Sequence, residues 1–380
     1  MKIGIDISQI VFEGSGVATY TRLLTSNLMK SGDDDEFVLF GSSFRNRRPL
    51  SEFVHSLTEK NFKTKFFFLP PKALEFLWNG IHVFPIENLI GPVDVFHSSD
   101  WLEPPTKQAK KVTTIHDLTI FKYPNTFVAR GGHNIVLNQK RKLFFVKQYC
   151  DKIIAVSETT KQDIMDILKI PEKKIKVIYE AADPDFSPRD AARVQKVKEK
   201  FTISGRYLLC VGAREPRKNL DRLIAAFVEV ASANPDLSLV IVGKYGWGED
   251  VTGDRLSVIS GRLKVLGFVE KDDLGALYSG ATGFIYPSLY EGFGLPILEA
   301  MACGCPVITS NIGSMKEIAG GSALLVEPEE IESIAGAISK ICRNKKVSDE
   351  LKIKGFKRAG EFNWQKAALQ TLEAYHSLLE

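Results

Sequence analysis

Short apolar runs alternate along the chain with longer stretches of mixed character. The first series lies near Ile3–Ile7, Phe37–Phe40, Phe66–Leu69, Val93–His97, Val112–Ile115, Ile153–Val156 and Ile175–Ile178. A second series lies near Tyr207–Val211, Ser238–Val242, Leu263–Leu266, Gly283–Tyr286, Val307–Ser310 and Ala323–Val326. Runs this short, apolar on both faces, suit strands buried inside a parallel sheet. Helical patterns fall between many of them, among them Leu220–Ala233 and Ile297–Cys303. The alternation predicts an α/β protein with doubly wound sheets covered by helices on both faces.

The two series are separated by Glu180-Ala-Ala-Asp-Pro-Asp-Phe-Ser-Pro188, which carries two prolines and three acids, and then by a charged helical stretch, Asp190–Lys200. Proline and acid clusters of this kind mark linkers. The chain of 380 residues also exceeds the usual size of one domain, about 100–200 residues. Two Rossmann-like domains follow, residues 1–180 and 190–360. The final stretch, Asn363–Leu379, reads as one amphipathic helix with Trp364, Ala368, Leu372, Tyr375 and Leu379 on one side.

Composition narrows the class. With 44% apolar and 25% charged residues, each domain can build a core without staples. A net charge of +4 permits a local anionic partner but does not mark a nucleic-acid binder. The five cysteines, Cys150, Cys210, Cys303, Cys305 and Cys342, are scattered among apolar residues and read as buried thiols of a cytoplasmic protein. Cys303-Gly-Cys305 has no second pair at ligand spacing, so it reads as a helix end leading into a strand. The N-terminus alternates like a strand rather than a signal peptide. No apolar run approaches the roughly 18 residues that a membrane span needs.

Ligands of doubly wound sheets bind beyond the carboxyl ends of the strands, so the loops at those ends hold the candidate chemistry. After the first strand comes Glu13-Gly14-Ser15-Gly16-Val17-Ala18-Thr19. Gly14 and Gly16 would let backbone approach a phosphate ahead of a helix, but a third glycine is missing, and a plain turn fits as well. Ile115-His116-Asp117 ends another strand, with an acid beside the histidine. Gly212-Ala-Arg214-Glu-Pro-Arg217-Lys218-Asn219 places two adjacent cations, Arg217 and Lys218, where a helix begins. Cations oppose the dipole there, and a bound diphosphate would offset that cost. The fourth loop is Tyr286-Pro-Ser-Leu-Tyr-Glu291-Gly-Phe293-Gly294-Leu295-Pro296-Ile-Leu-Glu299. Pro296 suits a first helical turn. The N–H groups of Phe293, Gly294 and Leu295 then surround a positive helix end. Glu291 stands before that end and Glu299 about one turn after it.

These loops resemble the family 4 glycosyltransferases, over nearly the whole chain. The most specific segment, Glu291-Gly-Phe-Gly-Leu-Pro-Ile-Leu-Glu299, looks like that family's paired-glutamate motif, and Glu215-Pro-Arg-Lys-Asn-Leu is similar to its basic diphosphate loop. Gly267-Phe268-Val269 and Leu277-Tyr278-Ser-Gly-Ala281 also look familial. The resemblance implies the GT-B architecture: two doubly wound domains facing across a cleft, with the C-terminal helix crossing back to the first. It implies that Arg217 and Lys218 bind the donor diphosphate and stabilise the leaving group. Glu291 would hold the sugar hydroxyls and Glu299 the ribose. Gly14 and Gly16 would line the donor–acceptor junction, with His116 beside the reacting sugar. Backbone near Phe268 and Val269 would meet the base. Two departures stand out: Arg214 sits later than the Arg that follows the glycine in many relatives, and Tyr179-Glu180-Ala181 replaces an Asn-Gly.

The expected reaction moves a hexose from a nucleoside diphosphate to a hydroxyl with retention. Mannose from GDP-mannose is preferred, by likeness to mannosyltransferase-like members, and a UDP-hexose comes next. The acceptor is a glycan or a lipid-linked sugar bound by the first domain. No Asp-x-Asp stands convincingly at a strand end, so no metal and no further cofactor is expected. Basic and aromatic segments, Arg45-Asn-Arg47-Arg48, Lys60–Phe66 and Asn125–Lys147 with Arg130, His133, Lys140, Arg141 and Lys142, leave open a peripheral contact with anionic membrane. A sugar-nucleotide epimerase or a non-catalytic sugar-nucleotide binding module are the alternatives. An NAD-dependent oxidoreductase would need a complete glycine fingerprint and a following acid, and neither is clean.

Overall fold

The computed structural model describes residues 1–44, 46–127, 132–246 and 261–380. It divides into two compact units, one formed by Met1–Lys122, Gly131–Glu180 and Asn363–Glu380, the other by Tyr123–Arg130 and Ala181–Phe362. Arg45 and Arg130 lie outside the described residues.

The first unit holds a seven-stranded sheet in the order β3-β2-β1-β4-β5-β6-β7. Its strands are β1 (Lys2–Asp6), β2 (Glu36–Ser42), β3 (Phe62–Phe67), β4 (Val95–Ser98), β5 (Lys110–Ile115), β6 (Lys152–Ala155) and β7 (Ile175–Val177). All neighbouring pairs are parallel. The third strand begins earlier than its apolar run suggests. Phe62 pairs with Phe37, and Lys63, Thr64 and Lys65 follow in register. β3 is an edge strand, and an edge tolerates the exposed polar residues that hide it from a search for apolar runs.

The last helix, Trp364–His376, belongs to this unit. Asn363 caps it, its side chain accepting from the Lys366 N–H at 3.1 Å. The helix packs against Gly16–Ser31. Trp364 meets Tyr20 edge-on at 5.8 Å, and the Tyr375 hydroxyl lies 2.5 Å from His97 Nδ1. Trp364, Ala368, Leu372 and Tyr375 are buried as their spacing predicts. Leu379 departs from the expected stripe: it lies past the helix end and is exposed.

The second unit holds a six-stranded parallel sheet in the order β10-β9-β8-β11-β12-β13. Its strands are β8 (Arg206–Val211), β9 (Leu237–Val242), β10 (Leu263–Val265), β11 (Gly283–Tyr286), β12 (Val307–Ser310) and β13 (Leu324–Val326). Every residue of β9 and β11 is buried, which is why these strands read as nearly continuous apolar runs, with Ser238 the polar exception in β9. One face is covered by Leu223, Ile224 and Phe227 of the helix Leu220–Ala231 together with Ile334 and Ile338. The chain order turns back between β8 and β11, and loops leaving adjacent strands in opposite directions open a crevice at such a point. The basic loop leaves β8 and the glutamate loop leaves β11, so the topology alone brings the two motifs together.

Candidate active site

The basic loop is shaped by a single tight turn, Pro216–Lys218, just ahead of the helix Leu220–Ala231. Between them stands Asn219 in the left-handed region, φ +60°, a conformation that asparagine tolerates better than most residues. Its buried amide donates to the carbonyls of Pro287 at 3.0 Å and Pro328 at 2.6 Å. The Leu289 N–H donates to the Arg217 carbonyl at 2.8 Å. These bonds tie the β8 loop to the β11 loop, so the two cations cannot drift from the glutamate motif.

Arg217 Nη1 lies 2.5 Å from Glu291 Oε2, and Lys218 Nζ lies 2.6 Å from Glu291 Oε1. One carboxylate thus spans both cations with both of its oxygens. Lys218 also donates to the Tyr286 hydroxyl at 2.7 Å, and Arg217 Nε donates to Glu215 at 2.9 Å. Burial alone would raise the Glu291 carboxyl, but Arg217 and Lys218 outweigh it and hold the group at about 2. Burial, helped by the neighbouring Arg217, pulls Lys218 below its ordinary value against the opposing pull of Glu291. Burial likewise raises Glu215, with Arg217 opposing. Glu291, expected to face the sugar, is thus found engaged with the residues expected to hold the diphosphate.

Past Glu291 the backbone turns through Gly294, φ +107°, which caps the helix Leu295–Ala302. That angle favours glycine, and an added Cβ would come within 3.1 Å of Ile297. The Phe293 ring is buried edge-on against Phe362 at 6.0 Å, so its backbone rather than its ring is suited to meet a ligand. Leu295 is also buried and opens the helix at whose start Pro296 sits. Glu299 takes a different set of neighbours. It accepts from the Tyr278 hydroxyl at 3.0 Å. Burial lifts its carboxyl to about 7; the Tyr278 bond opposes this and the charge of Asp183 adds to it.

The Glu299 shift makes a stability prediction. The folded state holds its proton more tightly than the unfolded chain, whose carboxyl titrates near 4.5. The stability tied to that proton is complete below that point and is lost as pH rises through about 7. Glu299→Gln should therefore raise the melting temperature at about pH 8 and leave it nearly unchanged at about pH 4. Thermal unfolding at the two pH values measures this, and equal shifts at both would contradict it.

Beyond β10, Gly267 has φ +61° and its carbonyl accepts from the Gly243 N–H at 2.7 Å. Phe268 is exposed with Lys244 over its ring at 4.7 Å, and Val269 is buried. Arg214 packs over the Tyr245 ring at 5.4 Å. Its backbone pairs with Lys244 and Gly246, so the residue is built into the β8–β9 junction.

In the first unit, Gly14 turns with φ +81° and Gly16 begins the helix Gly16–Ser31. Ser15 between them is the cap, its hydroxyl accepting from the Ala18 N–H at 3.2 Å. Gly14 and Gly16 are both exposed. His116 follows β5. Its Nδ1 lies 3.1 Å from Glu180, and Tyr20 meets the ring edge-on at 4.6 Å. Burial would lower the imidazole, but the bond to Glu180 and that residue's charge raise it. The adjacent acid is engaged elsewhere, since Asp117 accepts from the Thr119 N–H at 2.8 Å. The acid that meets His116 is Glu180. Neighbouring spacing could not reveal it, because the pair is joined by the tertiary fold. Ser15, Glu180, Asn219, Tyr278 and Tyr286 are the contributors that motif reading passed over. Ser15 and Asn219 each had a local signal, a residue type favoured directly before a helix.

Two family descriptions match, Glycosyltransferase Family 4 over residues 14–186 and Glycosyl transferases group 1 over residues 193–358. The O-antigen chain mannosyltransferase B of Escherichia coli is 29% identical over 392 aligned positions, covering all of both chains. The O-antigen chain mannosyltransferase RfbU of Salmonella typhimurium is 32% identical over 230 positions, covering 60% of this chain and 60% of its own length. Among solved structures, Anabaena HepE in complex with UDP and glucose superposes with a TM-score of 0.75 at 17% identity, covering 99% of this chain and 100% of its own.

Proposed function

The chain belongs to the family 4 glycosyltransferases, and on that premise we propose that it transfers mannose with retention from GDP-mannose to a glycan or lipid-linked acceptor. The observation that carries the reading is the cluster at the β8–β11 switch point. Two fixed cations and a helix N-terminus stand where a leaving diphosphate would gather charge. Arg217 and Lys218 take the diphosphate, Glu299 the ribose, and the exposed Phe268 the base. His116, held by Glu180, serves the reacting sugar. The mannose preference rests on likeness to two O-antigen mannosyltransferases. A UDP-hexose is the second choice, since HepE is solved with UDP and glucose.

The arrangement offers no glycosidase-like pair of acids. Glu291 is read as an acceptor for sugar hydroxyls and Glu299 as an acceptor for ribose hydroxyls. Glu299 is half-buried against Tyr278. A front-face displacement helped by the leaving phosphate is therefore the preferred route. Arg217 and Lys218 do the work that a divalent ion would otherwise do. Full activity in EDTA supports that assignment, and activity lost in EDTA and restored by Mg²⁺ or Mn²⁺ overturns it.

A thermal-shift screen of GDP, UDP, ADP and dTDP tests the donor, because a ligand of the native state raises its melting point. GDP should give the largest shift. The largest shift from UDP would move the assignment to a UDP-hexose, and no shift from any of the four, nor from GDP-mannose or UDP-glucose, would contradict a diphosphate site. Product analysis with donor alone separates an epimerase, which needs no acceptor. Absence of any turnover would favour a binding module.

No helix among the described residues is long and apolar enough to cross a membrane. A peripheral, cytoplasmic-face attachment has support in the first unit. Phe76, Ile81, Val83 and Phe84 are exposed, as are Phe144 and Tyr149 on the helix Gly132–Tyr149. His82 stacks on Phe145 at 4.0 Å and on Tyr149 at 5.0 Å, which joins the two segments into one patch. Lys72, Lys140, Arg141 and Lys147 are exposed on the same segments, but Lys142 departs from the expected basic set, since it lies on the inward side of the helix with Leu143 and Val146 and is fully buried. Aromatic and basic side chains together suit an anionic lipid surface. Flotation with phosphatidylglycerol vesicles should carry the protein, and failure to float at low ionic strength would count against it.

A further inference from the structure

The proposed donor cations are already neutralised from within. Both oxygens of Glu291 are taken, one by Arg217 at 2.5 Å and one by Lys218 at 2.6 Å. Glu291 is 7% exposed and Lys218 is 8% exposed, so water screens these contacts weakly. Glu215 supplies a second carboxylate on Arg217 at 2.9 Å. Two cations are thus matched by two acids. A bidentate carboxylate and a phosphate present the same feature to such a pair, two anionic oxygens held a fixed distance apart.

A diphosphate cannot simply be added to this cluster. It would bring its oxygens against a buried carboxylate of like charge. Protonation offers Glu291 no escape at neutral pH, because the two cations hold the carboxyl at about 2. Nor can the loops separate easily, since Asn219 and the Arg217 carbonyl bind the β8 loop to the β11 loop. The main chain of Glu291 is held as well, its carbonyl accepting from Ser314 Oγ at 2.7 Å. Only the side chain can swing.

Resting on the donor-site reading above, we infer that Glu291 is an internal stand-in for the donor diphosphate, and that its displacement makes the site favour a sugar nucleotide over the free nucleoside diphosphate. When the diphosphate takes Arg217 and Lys218, the carboxylate is left buried without its partners. A hexose supplies hydroxyl donors that re-pair it. A nucleoside diphosphate alone supplies none, so it binds against the cost of an orphaned charge. After transfer the sugar leaves with the acceptor. Glu291 then returns to its cations and helps expel the product. The same residue would therefore read the sugar and clear the site.

Isothermal titration with two ligand pairs, GDP with GDP-mannose and UDP with UDP-glucose, tests this on the wild type, Glu291→Gln and Arg217→Ala. Inorganic pyrophosphate serves as a probe independent of the base. Glu291→Gln should bind pyrophosphate and the nucleoside diphosphate at least about tenfold tighter than the wild type, an effect of about 1.4 kcal/mol. Its sugar nucleotide should bind no tighter, so the preference for the sugar-bearing ligand falls by at least that factor. Glu291→Asp, one methylene shorter, cannot span both cations and should tighten diphosphate binding by a smaller factor. It keeps the test open if the glutamine variant folds poorly. Unchanged or weaker diphosphate binding in both variants, with binding lost in Arg217→Ala, would make the ion pair purely structural and overturn the inference while sparing the donor site. Full diphosphate affinity in Arg217→Ala would overturn the donor-site reading itself.

Discussion

Replacing Lys218 by alanine is expected to lower turnover by about 10²–10³-fold at saturating donor while the fold survives, and Arg217→Ala should do the same. In the proposed reaction, charge gathers on the leaving diphosphate as the glycosidic bond breaks. A cation fixed beforehand costs no reorganisation when that charge appears. Lys218 is held by Tyr286 and Arg217 by Glu215, contacts that remain when Glu291 is displaced. Each variant leaves Glu291 one remaining cation, so neither strands an unpaired buried carboxylate. For that reason the loss should fall on kcat more than on stability. The checks are kcat under saturating donor and a circular-dichroism melt of each variant. Near-wild-type turnover in both would remove the cations from the mechanism.

The second large effect is expected one residue on, at a position that touches no ligand. Asn219→Ala should destabilise the second unit by about 2–4 kcal/mol and also lower kcat/KM. Two causes add. The buried carbonyls of Pro287 and Pro328 lose their donor, at about 1–3 kcal/mol for unmet buried polar groups. The left-handed backbone, φ +60°, is then imposed on alanine, which costs about a further 1 kcal/mol or more. Asn219→Gly separates the causes, because glycine accepts the backbone angle but supplies no donor. It should recover part of the stability and little of the activity, since the tie between the β8 and β11 loops stays broken. Denaturant melts and kcat/KM for both variants measure this. Equal activity in Asn219→Gly and the wild type would show that the tie does not position Arg217 and Lys218.

The fold was largely legible because its strands are buried on both faces. β9 and β11 show no polar alternation to confuse the reading. β3 was misplaced for the opposite reason: an edge strand carries Lys63, Thr64 and Lys65 in the open. The two site motifs were legible because each is local, a loop between one strand and one helix. What joins them was not. Arg217 and Glu291 lie 74 positions apart, and His116 and Glu180 lie 64 apart. Only the strand order, with β8 beside β11, brings the first pair together. Asp117 shows the converse hazard, since a neighbour in sequence looked like a partner but caps a turn. The state of Glu291 is a further step removed. Its spacing suggests a hydroxyl acceptor, and its burial between two cations shows what must be displaced before it can act as one.

The most direct test is calorimetric titration of GDP-mannose and UDP-glucose into the wild type and into the Arg217→Ala, Lys218→Ala double variant. One of the two sugar nucleotides should bind the wild type with a dissociation constant of about 1 mM or tighter, and the double variant, which leaves the buried Glu291 without either cation, should melt at a lower temperature but still cooperatively and show no measurable heat. A folded double variant that binds as well as the wild type would contradict a donor site at the β8–β11 switch point.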